Sequence, residues 1–284
     1  MDRLADWKDK YPNEPPGLHG GEPLLLRDEH IERIFEYVTE NWEEDRTHIQ
    51  TNGTLITDHH IDLFTEYDVH VGISCDGPAD LNDERLARSG GEDVTDRMTM
   101  RTHEAVDRLV EEGISVGIIT VVHETNAGTD ERHDRLLEWF DYLNRNGVYG
   151  HYNPAIPYDR IQADISLSPE RLKEVYLRTW EWMKEEEYRS WDPLRQMQNN
   201  ILGLQLGNCV NETCDVFNTR AARIIKGDGG TTGCGKVWEA VGDGTPFLQG
   251  DSTGNQYEET EERYEMLKQT PGPYTDDEPD QGGC

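Results

Sequence analysis

Three short polar stretches carry the residue types from which a ligand cradle is made. His19-Gly20-Gly21-Glu22-Pro23 sets two glycines beside a carboxylate, Ile49-Gln50-Thr51-Asn52-Gly53 ends in a small polar turn, and Ile73-Ser74-Cys75-Asp76-Gly77-Pro78 closes an apolar run with a hydroxyl and an acid. Gly20 and Gly21 lack side chains and let the backbone approach a ligand, while Glu22 offers acceptors to an ammonium group. Alone, such a turn is an ordinary β-α connection. In company the three stretches fall where strands end, so they collect on the C-terminal rim where parallel α/β folds bind ligands. Asp76-Gly77-Pro78 then leads into Asn82-Asp83-Glu84-Arg85.

A second constellation lies in the tail. Fourteen residues separate Cys214 from Gly229 and four separate Gly229 from Cys234, with Cys209 upstream and Cys284 at the last position. Thiolates brought together by a hairpin ligate iron-sulfur clusters or zinc. Cys75, inside a strand, reads instead as a small buried residue. His59 and His60 are adjacent in sequence, and adjacent residues do not share a helix face, so they make no metal site.

The elements that hold these residues are legible in the apolar spacing. Ile31, Ile34, Phe35, Val38 and Trp42 recur at helical intervals, and His48 to Asn52 follows as a strand. A helix over 58–67, a strand from Val69 to Cys75, a helix carrying Ala105, Val106, Leu109 and Val110, and a strand from Ser115 to His123 come next. Gly113 takes the left-handed position that closes the helix before that last strand. Leu136, Leu137, Phe140 and Leu143 mark a further helix, and Val148 to Asn153 a strand stopped by Pro154. Successive β-α units of one hand curl into a barrel or part of one. Ser168-Pro169-Glu170 opens a helix running to about 189, with a capping hydroxyl, a proline in the first turn and an acid at the positive end. A second helical stretch spans Asp192 to Leu204, and Ala222 to Gly230 reads as a hairpin with a Gly-rich turn. The domain reading is a segment 1–17, a core 18–160, a helical connection 161–206 and a Cys-rich region 207–284.

The 284 residues carry a formal net charge of -31, and only seven of the 27 basic residues are lysines: Lys8, Lys10, Lys173, Lys184, Lys226, Lys236 and Lys268. An acidic, Arg-preferring surface suits a cytoplasm at very high salt, where repulsion is screened, so the chain reads as halophilic. It argues against nucleic acid or an anionic membrane as the main partner, since phosphate binding needs clustered basic residues. No apolar run is long enough to span a bilayer and the start, Met1-Asp2-Arg3, is no signal peptide, so the expected location is cytoplasmic. Four of the five cysteines lie after residue 208, which in a reducing compartment favours metal ligation over disulfides.

The succession of Gly-Gly-Glu-Pro, Thr-Asn-Gly and Ser-x-Asp-Gly-Pro, together with the C-x14-G-x4-C tail, resembles the radical SAM superfamily, in the branch with a SPASM-type extension that includes the anaerobic sulfatase-maturating enzymes. The resemblance covers about 18–156 and, more loosely, 209–284. It implies a partial (β/α) barrel with a small Cys-rich SPASM-like extension. It also implies that Gly20, Gly21 and Glu22 meet the amino group of S-adenosylmethionine (SAM), that Ser74 contacts its ribose or methionyl end, and that Arg85 pairs with its carboxylate. Thr51, Asn52, Asn126 and Asn153 match polar rim positions, the last two being equally suited to capping turns. Cys209, Cys214, Cys234 and Cys284 would hold auxiliary iron-sulfur clusters.

In the family a [4Fe-4S] cluster on a C-x3-C-x2-C loop, fed by ferredoxin or flavodoxin, cleaves SAM to a 5'-deoxyadenosyl radical that modifies a peptide or protein side chain. Two features depart from the pattern. No cysteine precedes Cys75, so the loop is missing: this sequence by itself is expected neither to bind the SAM-cleaving cluster nor to be active alone, and it reads as lacking its first barrel unit and the end of its extension. Gly235 stands where sulfatase maturases place an aspartate, which argues against formylglycine formation. The rival readings are a degenerate, non-catalytic module binding SAM or peptide, and a zinc-stapled α/β protein.

Overall fold

The computed structural model describes residues 2–13, 15–42, 46–85, 92–155, 164–203, 224–225 and 231–232. Its first compact unit comprises 1–157 and 161–195. There, β1 (His48–Thr51), β2 (His70–Ser74), β3 (Val116–Val122), β4 (Tyr149–Pro154) and β5 (Trp191–Asp192) pair in chain order, and every pairing is parallel. A parallel sheet laid down in sequence order, with a helix in each crossover, is an open portion of an α/β barrel. Leu18 extends it beyond β1: its N–H donates to the His48 carbonyl and its carbonyl accepts from Gln50 N–H, both at 2.8 Å.

A first helix, α1 (Asp2–Lys10), precedes the sheet, and the crossovers are α2 (Asp28–Asn41) before β1, α3 (Asp58–Glu66), α4 (Glu92–Glu111), the single turn α5 (Glu124–Ala127) with α6 (Asp130–Arg145), and α7 (Pro169–Glu185). The predicted start of α7 is as observed, with Ser168 Oγ accepting from Arg171 N–H at 3.1 Å and Pro169 in the first turn. Gly113 ends the α4 segment at φ +73°, in the left-handed region where glycine carries no Cβ penalty. The helices pack one face of the sheet. Ile31, Phe35, Phe64, Val71, Ile73, Leu109, Ile118, Leu136 and Phe140 are buried there, each large side chain contributing about 1.5–3 kcal/mol by leaving water.

Strand alternation sorts the other face. Along β3, Val116, Ile118, Thr120 and Val122 are buried, while Gly117, Ile119 and Val121 between them are only half-buried. The register places Gln50, Gly72, Ser74, Ile119, His151 and Asn153 on this open face.

The structure departs from the sequence reading at β5. Trp191 and Asp192 lie within the stretch 161–206 expected to be helical connection, yet they pair with Gly150 and His151. Trp191 stacks on Phe140 with centroids 3.6 Å apart, and its indole N–H donates to Asn144 Oδ1 at 3.1 Å, so two residues suffice to hold a strand in place. The second unit comprises 158–160 and 196–284. Among its described residues, Ile224–Ile225 pair antiparallel with Thr231–Thr232, the hairpin expected there. Cys209, Cys214, Cys234 and Cys284 lie outside the described residues. No described helix is long and apolar enough to cross a membrane.

Candidate ligand site at the sheet rim

Because Leu18, β1 and β2 are neighbours and parallel, the turn after Leu18 and the ends of β1 and β2 adjoin on one rim. Gly20 and Gly21 follow Leu18 with φ of +87° and +53°, and a Cβ built on either would meet nothing within 4 Å among the described residues. The glycines are therefore required by backbone conformation, and the space beside them is open to a ligand.

Glu22 braces this turn against β1. Its Oε1 accepts the Thr51 hydroxyl at 2.6 Å and Leu24 N–H at 3.1 Å, and its Oε2 accepts Asn52 N–H at 2.9 Å. A carboxylate has about four acceptor positions, so this one keeps room for a single further donor such as an ammonium hydrogen. Thr51, expected to face the ligand, is buried on the helix side, where its hydroxyl serves Glu22 and also accepts Gly53 N–H at 3.1 Å. Asn52 turns the chain, its Oδ1 accepting Thr54 N–H at 2.9 Å and Thr54 Oγ1 at 2.7 Å.

Ser74 ends β2 on the open face. There it accepts from Gln50 Nε2 at 2.8 Å, a partner the motif-based reading passed over. Strand alternation would have found it, since Gln50 stands two residues before Asn52 and therefore points opposite to Thr51.

Arg85 pairs with an acid of the same rim loop. A short 3₁₀ turn, Ala79–Asn82, folds the loop back so that Arg85 Nη2 donates to Asp76 Oδ1 at 2.7 Å. Asp76 is buried and central: Oδ1 also accepts Val121 N–H at 2.7 Å, its own N–H donates to Asn82 Oδ1 at 2.8 Å, and its carbonyl accepts Asn126 Nδ2 at 2.9 Å. Burial by itself would raise the Asp76 carboxyl, but the His123 ring beside it, Arg85 and the Val121 N–H outweigh that and hold it below the usual carboxylate range. Asn126 is a turn cap, bonding Val121 O and His123 N–H, and is buried. Asn153 lies on the open face beside Val121.

SAM suits this rim: an open Gly-Gly turn, one carboxylate position and a polar open face lie together. An iron-sulfur cluster does not fit the described residues. Cys75 is buried, its thiol is pushed up to about 12 by burial, and it donates to the Gly77 carbonyl at 3.4 Å. No group of three or more metal-ligating side chains occurs among the described residues.

Comparison with known proteins gives the same direction. Residues 14–143 match the Radical SAM superfamily. An uncharacterized protein of Methanothermobacter thermautotrophicus is 31% identical over 158 residues, 54% of this chain and 55% of that protein. A serine-type anaerobic sulfatase-maturating enzyme of Bacteroides thetaiotaomicron is 30% identical over 112 residues, 38% of this chain and 26% of the enzyme. The chain thus spans about half or less of the length of these curated relatives. In fold it is similar to anSMEcpe with bound AdoMet and Cp18Cys peptide, at a TM-score of 0.68 and 16% identity over 94% of this chain and 73% of the other. It is also similar in fold to Streptococcus suis SuiB bound to the precursor peptide SuiA, at a TM-score of 0.55 and 14% identity over 89% and 56%.

Proposed function

We propose that this chain, whose residues 14–143 match the Radical SAM superfamily, binds SAM at the rim formed by Leu18, β1 and β2 and serves the radical modification of a peptide or protein side chain, as in the sulfatase-maturase-like branch. The observation that carries the proposal is the open Gly20-Gly21 turn, braced by Glu22 on the end of β1 beside the Gln50–Ser74 pair. SAM bound in this superfamily supplies a 5'-deoxyadenosyl radical that abstracts a hydrogen atom. The residues of the chain hold and orient it. Gly20 and Gly21 admit the methionyl end, Glu22 accepts one ammonium hydrogen, and Ser74 meets a ribose or methionyl oxygen. Arg85 has one Nη committed to Asp76 and acts first as a brace of the rim loop.

The open face beside Ile119, Val121, His151 and Asn153 is the side on which a substrate would lie. Two fold relatives hold peptides, which supports a peptide over a small metabolite. Cys209, Cys214, Cys234 and Cys284 are proposed auxiliary-cluster ligands, and ferredoxin or flavodoxin the electron donor, in a cytoplasmic setting.

A second reading is a non-catalytic SAM- or peptide-binding module. The DNA upstream of Met1 separates the two: an in-frame C-x3-C-x2-C there supports the enzyme, and a stop codon supports the module.

A further inference from the structure

Gly72 lies between Gln50 and Ser74 in a way that the brace of Glu22 does not explain. It pairs with Gln50 in the β1–β2 register, and a Cβ built on it would sit 2.1 Å from Gln50 Oε1 and 2.9 Å from its carboxamide carbon. Real Cβ atoms do not approach other atoms so closely, so any side chain at 72 evicts the Gln50 carboxamide. With glycine there, Gln50 lies flat across β2 and its Nε2 reaches Ser74 Oγ at 2.8 Å. A serine hydroxyl has one hydrogen to give and two lone pairs to receive. Since Nε2 occupies one lone pair, the Ser74 hydrogen is left for something else.

Resting on the SAM reading of the site, we infer that Gln50 is a positioning residue and Gly72 the space it needs, and that together they set Ser74 as a hydrogen-bond donor to the ligand. The site then selects a ligand that presents an acceptor oxygen at the end of β2. Gln50 does this through Ser74, and Gly72 acts only by lacking a side chain. The same geometry explains the absence of a side chain from a strand interior, where glycine otherwise weakens pairing.

Three substitutions separate the parts. Gln50→Met keeps the length and removes the hydrogen bond. Gln50→Glu leaves only acceptors, so Ser74 must donate to residue 50 and turns its hydrogen away from the ligand. Gly72→Ala evicts the carboxamide while leaving residue 50 unchanged. A hydrogen bond of this kind contributes on the order of a 3- to 10-fold change in an equilibrium, so Gln50→Met should weaken SAM binding by about 3-fold and Gln50→Glu by about 10-fold.

The test is a ¹H–¹⁵N spectrum of the full chain in molar KCl, with the Gln50 side-chain amide assigned by its loss in Gln50→Met. The expected result is an immobilised Gln50 amide that moves to the free-amide position in both Gly72→Ala and Ser74→Ala and shifts when SAM is added to the unaltered protein. A Gln50 amide that ignores Gly72→Ala and Ser74→Ala overturns the inference without any reference to SAM. Equal SAM affinity for Gln50→Met, Gln50→Glu and the unaltered chain overturns it as well. An amide that responds to both substitutions while the unaltered protein binds no SAM overturns the SAM reading of the rim instead.

Discussion

Arg85 and Asp76 form an ion pair at 2.7 Å in which the acid is buried and the base is 30% exposed. The asymmetry makes Asp76 the structural member. Its carboxylate joins the end of β2 to β3 through Val121 N–H, while water still reaches Arg85. Asp76→Asn should therefore lower stability by about 2–3 kcal/mol, the scale of hydrogen bonds to a buried charge, and Arg85→Ala by less, because an exposed partner is screened. Denaturant midpoints of the two variants check this order.

The same pair sets a pH dependence. The Asp76 carboxyl is held below its ordinary value, since His123, Arg85 and the Val121 N–H overcome the opposing effect of burial. A depressed folded-state pKa gives stability that is complete above the unfolded value, about 3.9 for Asp, and is lost as pH falls through the folded value. Acid unfolding of the parent chain should thus steepen below that value, and Asp76→Asn should flatten that limb. An unchanged acid limb in the variant would assign the acid sensitivity to other carboxylates.

Glu22 and the two glycines before it give separable effects. Gly20→Ala and Gly21→Ala place a Cβ in left-handed backbone, costing about 1–2 kcal/mol of stability, with no clash against the described residues. Their larger effect is expected on SAM binding, since the new methyl enters the open space. Thr51→Val removes the 2.6 Å bond to Glu22 and should cost about 0.5–1.5 kcal/mol. Thermal midpoints and SAM dissociation constants measured on the same preparations distinguish a turn that is merely folded from one that receives ligand.

Much of this site was legible before the structure. Apolar alternation located β1 to β4, and the glycine turn and Ser74 fell on one rim because parallel strands all end on the same side. The partners of two side chains needed the structure: Thr51 turns to the buried face and meets Glu22, and the 3₁₀ turn at Ala79–Asn82 brings Arg85 onto Asp76. Trp191–Asp192 was invisible as a strand because two residues show no period; it is fixed by stacking on Phe140, a tertiary contact. Cys214 and Cys234 remain a reading of spacing alone.

Those cysteines carry their own prediction. Anaerobic reconstitution should give a brown chain with bound iron and acid-labile sulfide, both reduced by Cys214→Ala and by Cys234→Ala. Stoichiometric zinc without sulfide would support the zinc-stapled alternative.

The net charge of -31 predicts loss of helical circular dichroism in dilute buffer and recovery as KCl rises into the molar range, because the Debye length falls from about 30 Å at 0.01 M to about 3 Å at 1 M. A spectrum indifferent to salt contradicts the halophilic reading.

The central claim, a SAM cradle at the ends of Leu18, β1 and β2, is tested most directly by titrating SAM into ¹⁵N-labelled chain and following the backbone amides. The account predicts saturable shifts concentrated at Gly20, Gly21, Asn52, Gly53 and Ser74, abolished by Gly20→Ala. Saturable shifts confined to the opposite ends of the strands, around His48, His70 and Ser115, or no shifts at millimolar SAM in a folded chain, would contradict it.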